Sequence, residues 1–285
     1  MGIEIDSTTP EGWQAALAAL AWQVDLGVTE VIGDTPINVY DLPDRAQWQA
    51  TQQAVAVPQR GATKAAAAPY VPSVSNEDRA AAQADAAVAA AHAAAGAAPD
   101  LAALHEALAR YDHCDLKMGA RNLVFADGLP GARVLVLGEA PGRDEDMQGK
   151  PFVGAAGQLL DRMFAAIGLS RSSDDPATAL YITNVMPWRP PANRDPTPEE
   201  IAMMRPFVER HITLARPQVV VAMGNTPCAA LLGTKGILRL RGHWTEALGL
   251  PVMPMTHPAY LLRNPAAKRE AWADLLDIQA KLRGA

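Results

Sequence analysis

The sequence predicts an α/β protein, a three-layer α/β/α sandwich around a central four-stranded parallel sheet, with an N-terminal helical extension. Three observations predict it. Four short apolar runs, 134–137, 181–185, 218–223 and 252–255, have the length of buried strands. Segments with helical apolar spacing separate them, and strands alternating with helices give a parallel sheet covered on both faces. A stretch dense in glycine, proline and carboxylate, Gly138–Gly154, follows the first run, where open α/β sheets place ligand sites.

Taken in order, Trp13, Leu17, Leu20, Val24 and Val28 form a helical stripe with Glu11 ahead of it. It reads as a small docking helix within an N-terminal extension over 1–50. Residues 51–98 are low in complexity: Pro58, Pro69 and Pro72 interrupt the first half and alanine dominates the second. Alanine favours helix but buries little, so this stretch reads as a linker without chemistry. The domain is expected over 99–285. Its first helix presents Leu101, Leu104, Leu108 and Tyr111 on one face, with Asp100 as N-cap. A helix over 157–169 turns Leu159, Leu160, Met163, Phe164 and Ile167 inward. Thr197-Pro198 caps and opens a helix reaching 215. A short helix follows over 226–232 and a last one over about 265–282.

The chain has 285 residues and a net charge of −6, which is unevenly distributed. Residues 1–115 hold 5 Lys/Arg against 15 Asp/Glu, and residues 116–285 hold 20 against 16, so the acidity belongs to the first part and the predicted domain is mildly basic. Its cations cluster near the expected loops (Arg189, Arg194, Arg239, Arg241, Arg263), as a phosphate track or a mixed solvated surface would. Two cysteines, Cys114 and Cys228, are too few for a disulfide framework and read as free thiols. No apolar run reaches membrane-spanning length, and the acidic N-terminus lacks a secretory signal's basic start. A cytoplasmic monomer without membrane contact is expected.

Polar residues gather on three of the four loops that follow the strands. Gly138–Gly154 packs two prolines, four glycines and four acidic side chains into seventeen positions, a carboxylate density that points beyond a structural turn. Glu139, Glu145 and Phe152 lie in it. Asn184 closes the second strand, ahead of Arg189-Pro-Pro-Ala-Asn193-Arg194. Thr256-His257-Pro258 and Tyr260-Leu261-Leu262-Arg263 follow the fourth. Gly224-Asn225, after the third, reads as a plain turn. Singly, Phe152 reads as core, Asn184 as a strand-end cap and His257 as a loop histidine. Together, an aromatic, an amide and an imidazole on separate strand ends suit a flat heterocycle: stacking, an edge with one acceptor and two donors, and a donor to a carbonyl gaining charge.

These motifs, in order and spacing, resemble the family 4 uracil-DNA glycosylases, over about 109–282. The resemblance implies the uracil-DNA glycosylase fold and a DNA repair enzyme that flips uracil out of DNA and hydrolyses its N-glycosidic bond. It implies catalytic roles for Glu139, Glu145 and His257, without saying which carboxylate positions the water. It implies uracil contacts for Ala140, Phe152, Asn184 and Asn193, and DNA contacts for Arg189, Arg194 and the Leu261-Leu262-Arg263 loop, whose apolar wedge would fill the gap left by the flipped nucleotide.

The resemblance breaks at one place. Family 4 members usually hold a [4Fe–4S] cluster on four cysteines, and the matching positions here are Tyr111, Cys114, Trp188 and Met204. With three thiolates missing, no cofactor is expected, and the large apolar replacements suggest a packed plug. No histidine-bearing insert follows the second strand, so turnover is favoured over covalent self-attachment to DNA. The alternatives are a non-catalytic uracil- or DNA-binding module and, more distantly, a nucleotide enzyme. The second lacks both Gly-rich phosphate patterns.

Overall fold

The computed structural model describes residues 76–284 together with Thr9, Gln14 and Leu17. The chain divides at Val71/Pro72, and 76–284 belong to the second unit. The N-terminal helical extension expected over 1–50, and the linker's first half, therefore lie outside the described residues apart from those single positions.

Helices α1 (Asn76–Ala97), α2 (Leu101–Arg110) and the single turn α3 (Leu116–Gly119) lead into strands β1 (Ala126–Gly128) and β2 (Val134–Gly138). Then come α4 (Arg143–Gln148), α5 (Ala155–Ala165), β3 (Leu180–Asn184), a 3₁₀ turn (Pro191–Asn193), α6 (Pro198–Ala215), β4 (Val219–Met223) and α7 (Asn225–Leu232). The chain closes with α8 (Ile237–Leu240), β5 (Thr245–Ala247), β6 (Leu250–Met255), α9 (Pro258–Arg263), a second 3₁₀ turn and α10 (Lys268–Arg283).

The sheet order is β1-β3-β2-β4-β6-β5. Its centre, β3-β2-β4-β6, is the expected parallel sheet, with Val136 opposite both Ile182 and Val221. The antiparallel edges β1 and β5 are additions that the sequence reading missed. Each has three residues, too short for an alternating pattern to register. Because β3 lies on one side of β2 and β4 on the other, the winding direction reverses between β2 and β4. That reversal opens the crevice where α/β sheets hold ligands.

Strand alternation divides the core between two faces. Leu135, Leu137, Tyr181, Val220 and Val252 point into a cluster with α1, α2, α6 and α7. Val134, Val136, Ile182, Val221 and Met253 point toward α5 and α10. Helix α6 begins as its sequence predicts: Thr197 Oγ1 accepts from the Glu200 N–H, Glu200 Oε2 accepts from the Thr197 N–H, and Pro198 occupies the first turn.

The alanine-rich stretch departs from the linker expectation. Asn76–Ala97 is a helix, and Ala87, Ala91 and Ala95 form a buried stripe at helical spacing. Tyr111 Oη donates to the Ala87 carbonyl at 2.8 Å, and Arg210 Nε donates to the Ala98 carbonyl at 2.9 Å. Alanine buries little area per residue, but its small side chain lets two helices approach closely. An all-alanine face hides that stripe from a polarity pattern. Among the described residues, no helix is long and apolar enough to cross a membrane.

Candidate active site

A cavity of about 450 Å³ opens at the carboxyl ends of the parallel strands. Glu139, Ala140, Glu145, Phe152, Asn184, Asn193, Arg194, His257 and Arg263 all line it. The separate motifs read from the sequence therefore converge on one site.

Glu139 leaves β2 beside β3, where the Met186 N–H donates to its backbone carbonyl at 2.9 Å. Its carboxylate Oε2 accepts from the Thr226 hydroxyl at 2.8 Å. Burial pushes its pKa above the usual carboxylate value, and the threonine bond pulls against that. Glu145 is differently placed. Its Oε1 accepts from the backbone N–H groups of Val153 and Gly154, each at 2.9 Å, and its Oε2 from Gly142 at 3.1 Å. It ties the two ends of the loop together. Asp146 does the same toward the preceding segment, its Oδ1 accepting from Arg121 at 2.8 Å and Asn122 at 3.1 Å. Much of the loop's carboxylate density is thus structural, because sharply bent backbone leaves N–H groups that need acceptors. This corrects the reading of that density as chemistry alone.

Phe152 forms the floor. It adopts φ +53°, a conformation disfavoured for a bulky side chain. A Cβ on Gly157 would lie 1.7 Å from its carbonyl oxygen, and one on Gly138 would lie 2.4 Å from its ring. Only glycine fits either position. Arg171 holds the strained turn: Nη2 donates to the Phe152 carbonyl at 2.8 Å and Nη1 to that of Pro151 at 2.9 Å. Arg171 also pairs with Asp127 and Asp161. It escaped the sequence reading because it lies outside every strand-end loop considered there.

Above the ring sits His257, with centroids 5.3 Å apart and planes at 27°. His257 caps α9, its Nδ1 accepting from the Ala259 N–H at 3.2 Å. An accepting Nδ1 places the imidazole proton on Nε2. Burial first, then the nearby Arg263, holds the ring pKa down to about 4, so the donor is a neutral imidazole. Asn184 closes β3, only 7% exposed, and its Oδ1 is buried without a hydrogen-bond partner among the described residues.

The rim corrects further expectations. Leu261, expected in the DNA wedge, is 0% exposed and packs in the core with α5 and α10, because the short helix α9 turns its inner face toward them. Leu262 is 42% exposed and Arg263 faces the cavity. Arg189 Nε donates to Asn193 Oδ1 at 2.8 Å, bracing a turn in which Ala192 and Asn193 both have positive φ. Arg194 forms a two-point pair with Glu200, at 2.6 and 2.9 Å.

Tyr111, Cys114, Trp188 and Met204 are all buried in one apolar cluster. The phenol donates to Ala87, the Cys114 thiol is pushed up to about 11 chiefly by burial, and the other two carry no thiol. Such a donor set does not fit a four-thiolate cluster. It fits a hydrophobic plug on which α1 docks.

The family model of the uracil DNA glycosylase superfamily matches residues 125–276. A type-4 uracil-DNA glycosylase of Archaeoglobus fulgidus is 40% identical over 174 residues, covering 58% of this chain and 84% of that protein. One from Pyrobaculum aerophilum is 35% identical over 191 residues, covering 62% and 91%. One from Thermotoga maritima is 40% identical over 154 residues, covering 53% and 77%.

Proposed function

Because this chain belongs to the type-4 branch of the uracil-DNA glycosylase superfamily, we infer that it is a DNA repair glycosylase. It takes uracil flipped out of DNA into the cavity and hydrolyses the N-glycosidic bond, leaving an abasic site.

The orphaned Asn184 Oδ1 carries this reading. A buried acceptor left unpaired costs about 1–3 kcal/mol, and uracil supplies the missing donor at N3–H. Cytosine presents a lone pair at N3 and leaves the acceptor unpaired, which is a strong basis for rejection. Phe152 stacks on the base. As the C1′–N1 bond breaks, its electron pair moves onto uracil, and the His257 Nε2–H donates to O2, where negative charge grows.

Glu139 is assigned the other end of the bond. It faces the oxocarbenium character of the sugar and accepts the proton of the water that bonds to C1′. Glu145, held by three backbone donors, braces the loop. Ala140 lines the cavity wall next to Glu139. Asn193, braced by Arg189, supports the pocket from the side. Arg194, Leu262 and Arg263 meet the DNA, and Leu262 fills the space left by the flipped nucleotide, whose extrusion costs a few kcal/mol. The protein works without an iron–sulfur cluster, as a cytoplasmic monomer. The buried donor set at the four matching positions supports the first of these.

A single-turnover assay with a uracil-containing oligonucleotide and enzyme in excess tests the reading. Strand breakage at an alkali-labile abasic site is expected. Retention of the oligonucleotide without abasic product would establish the binding module instead.

A further inference from the structure

We propose that Thr226, in the first turn of α7 just after the plain Gly224-Asn225 turn, is a positioning residue that orients the Glu139 carboxylate. The proposal rests on the glycosylase reading and on a juxtaposition that the fold creates. Glu139 follows β2 and Thr226 opens α7 after β4, two strands paired in parallel at the point where the winding reverses. Their carboxyl ends therefore face each other across the crevice, although the residues are 87 positions apart in the chain.

Thr226 is 5% exposed, so its hydroxyl has little water to turn to. It donates to Glu139 Oε2 at 2.8 Å, and no other side-chain hydrogen bond reaches that carboxylate among the described residues. A single donor on one oxygen restricts rotation of the carboxylate and leaves the other oxygen for a water molecule. It also favours the charged form, because the hydroxyl donates more strongly to a carboxylate than to a carboxylic acid.

The remaining charges about Glu139 are set by the same architecture. Asp195, on the loop after β3, favours the protonated acid, and Lys235, on the loop after α7, favours the carboxylate. The backbone just after Lys235 is anchored to the same loop. The neighbouring Asn225 Oδ1 accepts from the backbone N–H groups of Gly236 at 3.0 Å and Ile237 at 2.9 Å. The Asn225-Thr226 pair thus supplies the hydrogen bond to Glu139 and anchors the backbone next to Lys235. Burial and Asp195 oppose them.

The test compares Thr226→Val, which keeps the shape, with Thr226→Ser, which keeps the hydroxyl, in the full chain. With a uracil-containing oligonucleotide, Thr226→Val should slow uracil release about tenfold or more, the scale expected when a reacting group is misplaced. The acid limb of its pH–rate profile should move to higher pH. Thr226→Ser should restore both. A second readout is independent of turnover: the ¹³C-carboxyl titration of Glu139 should move upward in Thr226→Val and stay near wild type in Thr226→Ser. An unmoved titration, or a slow Thr226→Ser with an unmoved acid limb, overturns the proposal. If the wild-type chain releases no uracil, the glycosylase reading falls, while the titration still decides whether Thr226 holds Glu139.

Discussion

Arg171 holds Phe152 by its backbone. The guanidinium donates to the carbonyls of Phe152 and Pro151 at 2.8 and 2.9 Å, while Asp127 and Asp161 hold the guanidinium in turn. The ring that would stack on uracil is therefore set from behind, by a residue that does not line the cavity. A left-handed conformation at a phenylalanine costs of order 1–3 kcal/mol and persists only when its surroundings enforce it.

Arg171→Ala should lower stability by about 2–4 kcal/mol, because two carbonyls and two aspartates lose a shared donor. It should also slow uracil release with a raised KM. Thermal unfolding and steady-state kinetics check both. Full activity with intact stability would show that Phe152 keeps its conformation unaided.

Glu139 and Glu145 should separate when each is replaced. Glu139→Gln keeps the Thr226 contact geometry and should cut uracil release about 10²–10⁴-fold with little change in stability, the range of a lost general base. Glu145→Ala strands three backbone N–H groups and should cost about 2–4 kcal/mol in urea unfolding. Its activity loss should follow from the loosened loop.

His257→Ala should cut the rate strongly while leaving binding to abasic DNA nearly unchanged, since its bond strengthens only as charge develops on uracil. Equal losses in both measurements would refute that role.

Stability should depend on pH through two histidines. Burial holds His257 down to about 4 and His211, hydrogen-bonded to Tyr181 at 2.8 Å, down to about 3, both below the ordinary 6.5. Below about pH 6.5 the unfolded chain binds protons that the folded chain refuses, so acid favours unfolding. Tm should be insensitive to these groups above pH 7 and fall as pH drops from 6.5 toward 4. A Tm that rises over that interval contradicts the neutral assignment.

Leu261 and Leu262 should behave as opposites. Leu261→Ala should cost about 2–5 kcal/mol, the usual range for a core truncation. Leu262→Ala should leave unfolding unchanged and slow release from duplex more than from single-stranded DNA. For the cluster positions, the purified protein should be colourless and free of stoichiometric iron.

The parallel centre of the sheet was legible because β2, β3 and β4 are fully buried runs, and β6 is buried from Val252 onward, a kind of run local composition reveals. Cavity residues were legible where motif and strand end coincide, as at Glu139, Phe152, Asn184 and His257. Neighbours on the same loops were harder to separate. Glu139 and Glu145 look alike in sequence, and their hydrogen-bond partners in the fold distinguish them, three backbone N–H groups for Glu145 and one hydroxyl for Glu139. Leu261 and Leu262 differ by one position on a short helix, and one step of about 100° decides which is core.

By itself, the sequence determined the strand and helix alternation, the N-terminal cap of α6 and the chemical kit of the site. Those depend on residue type and short-range spacing, which a chain carries locally. Tertiary structure decided the rest: that an alanine stripe becomes packed helix, that Arg171 pins Phe152, that half the loop's carboxylates are braces, and that Thr226 meets Glu139. These are contacts that residue type and short-range spacing do not encode, and the Thr226–Glu139 bond, across 87 positions, exists only once the sheet's winding reversal has brought its two segments to the same crevice.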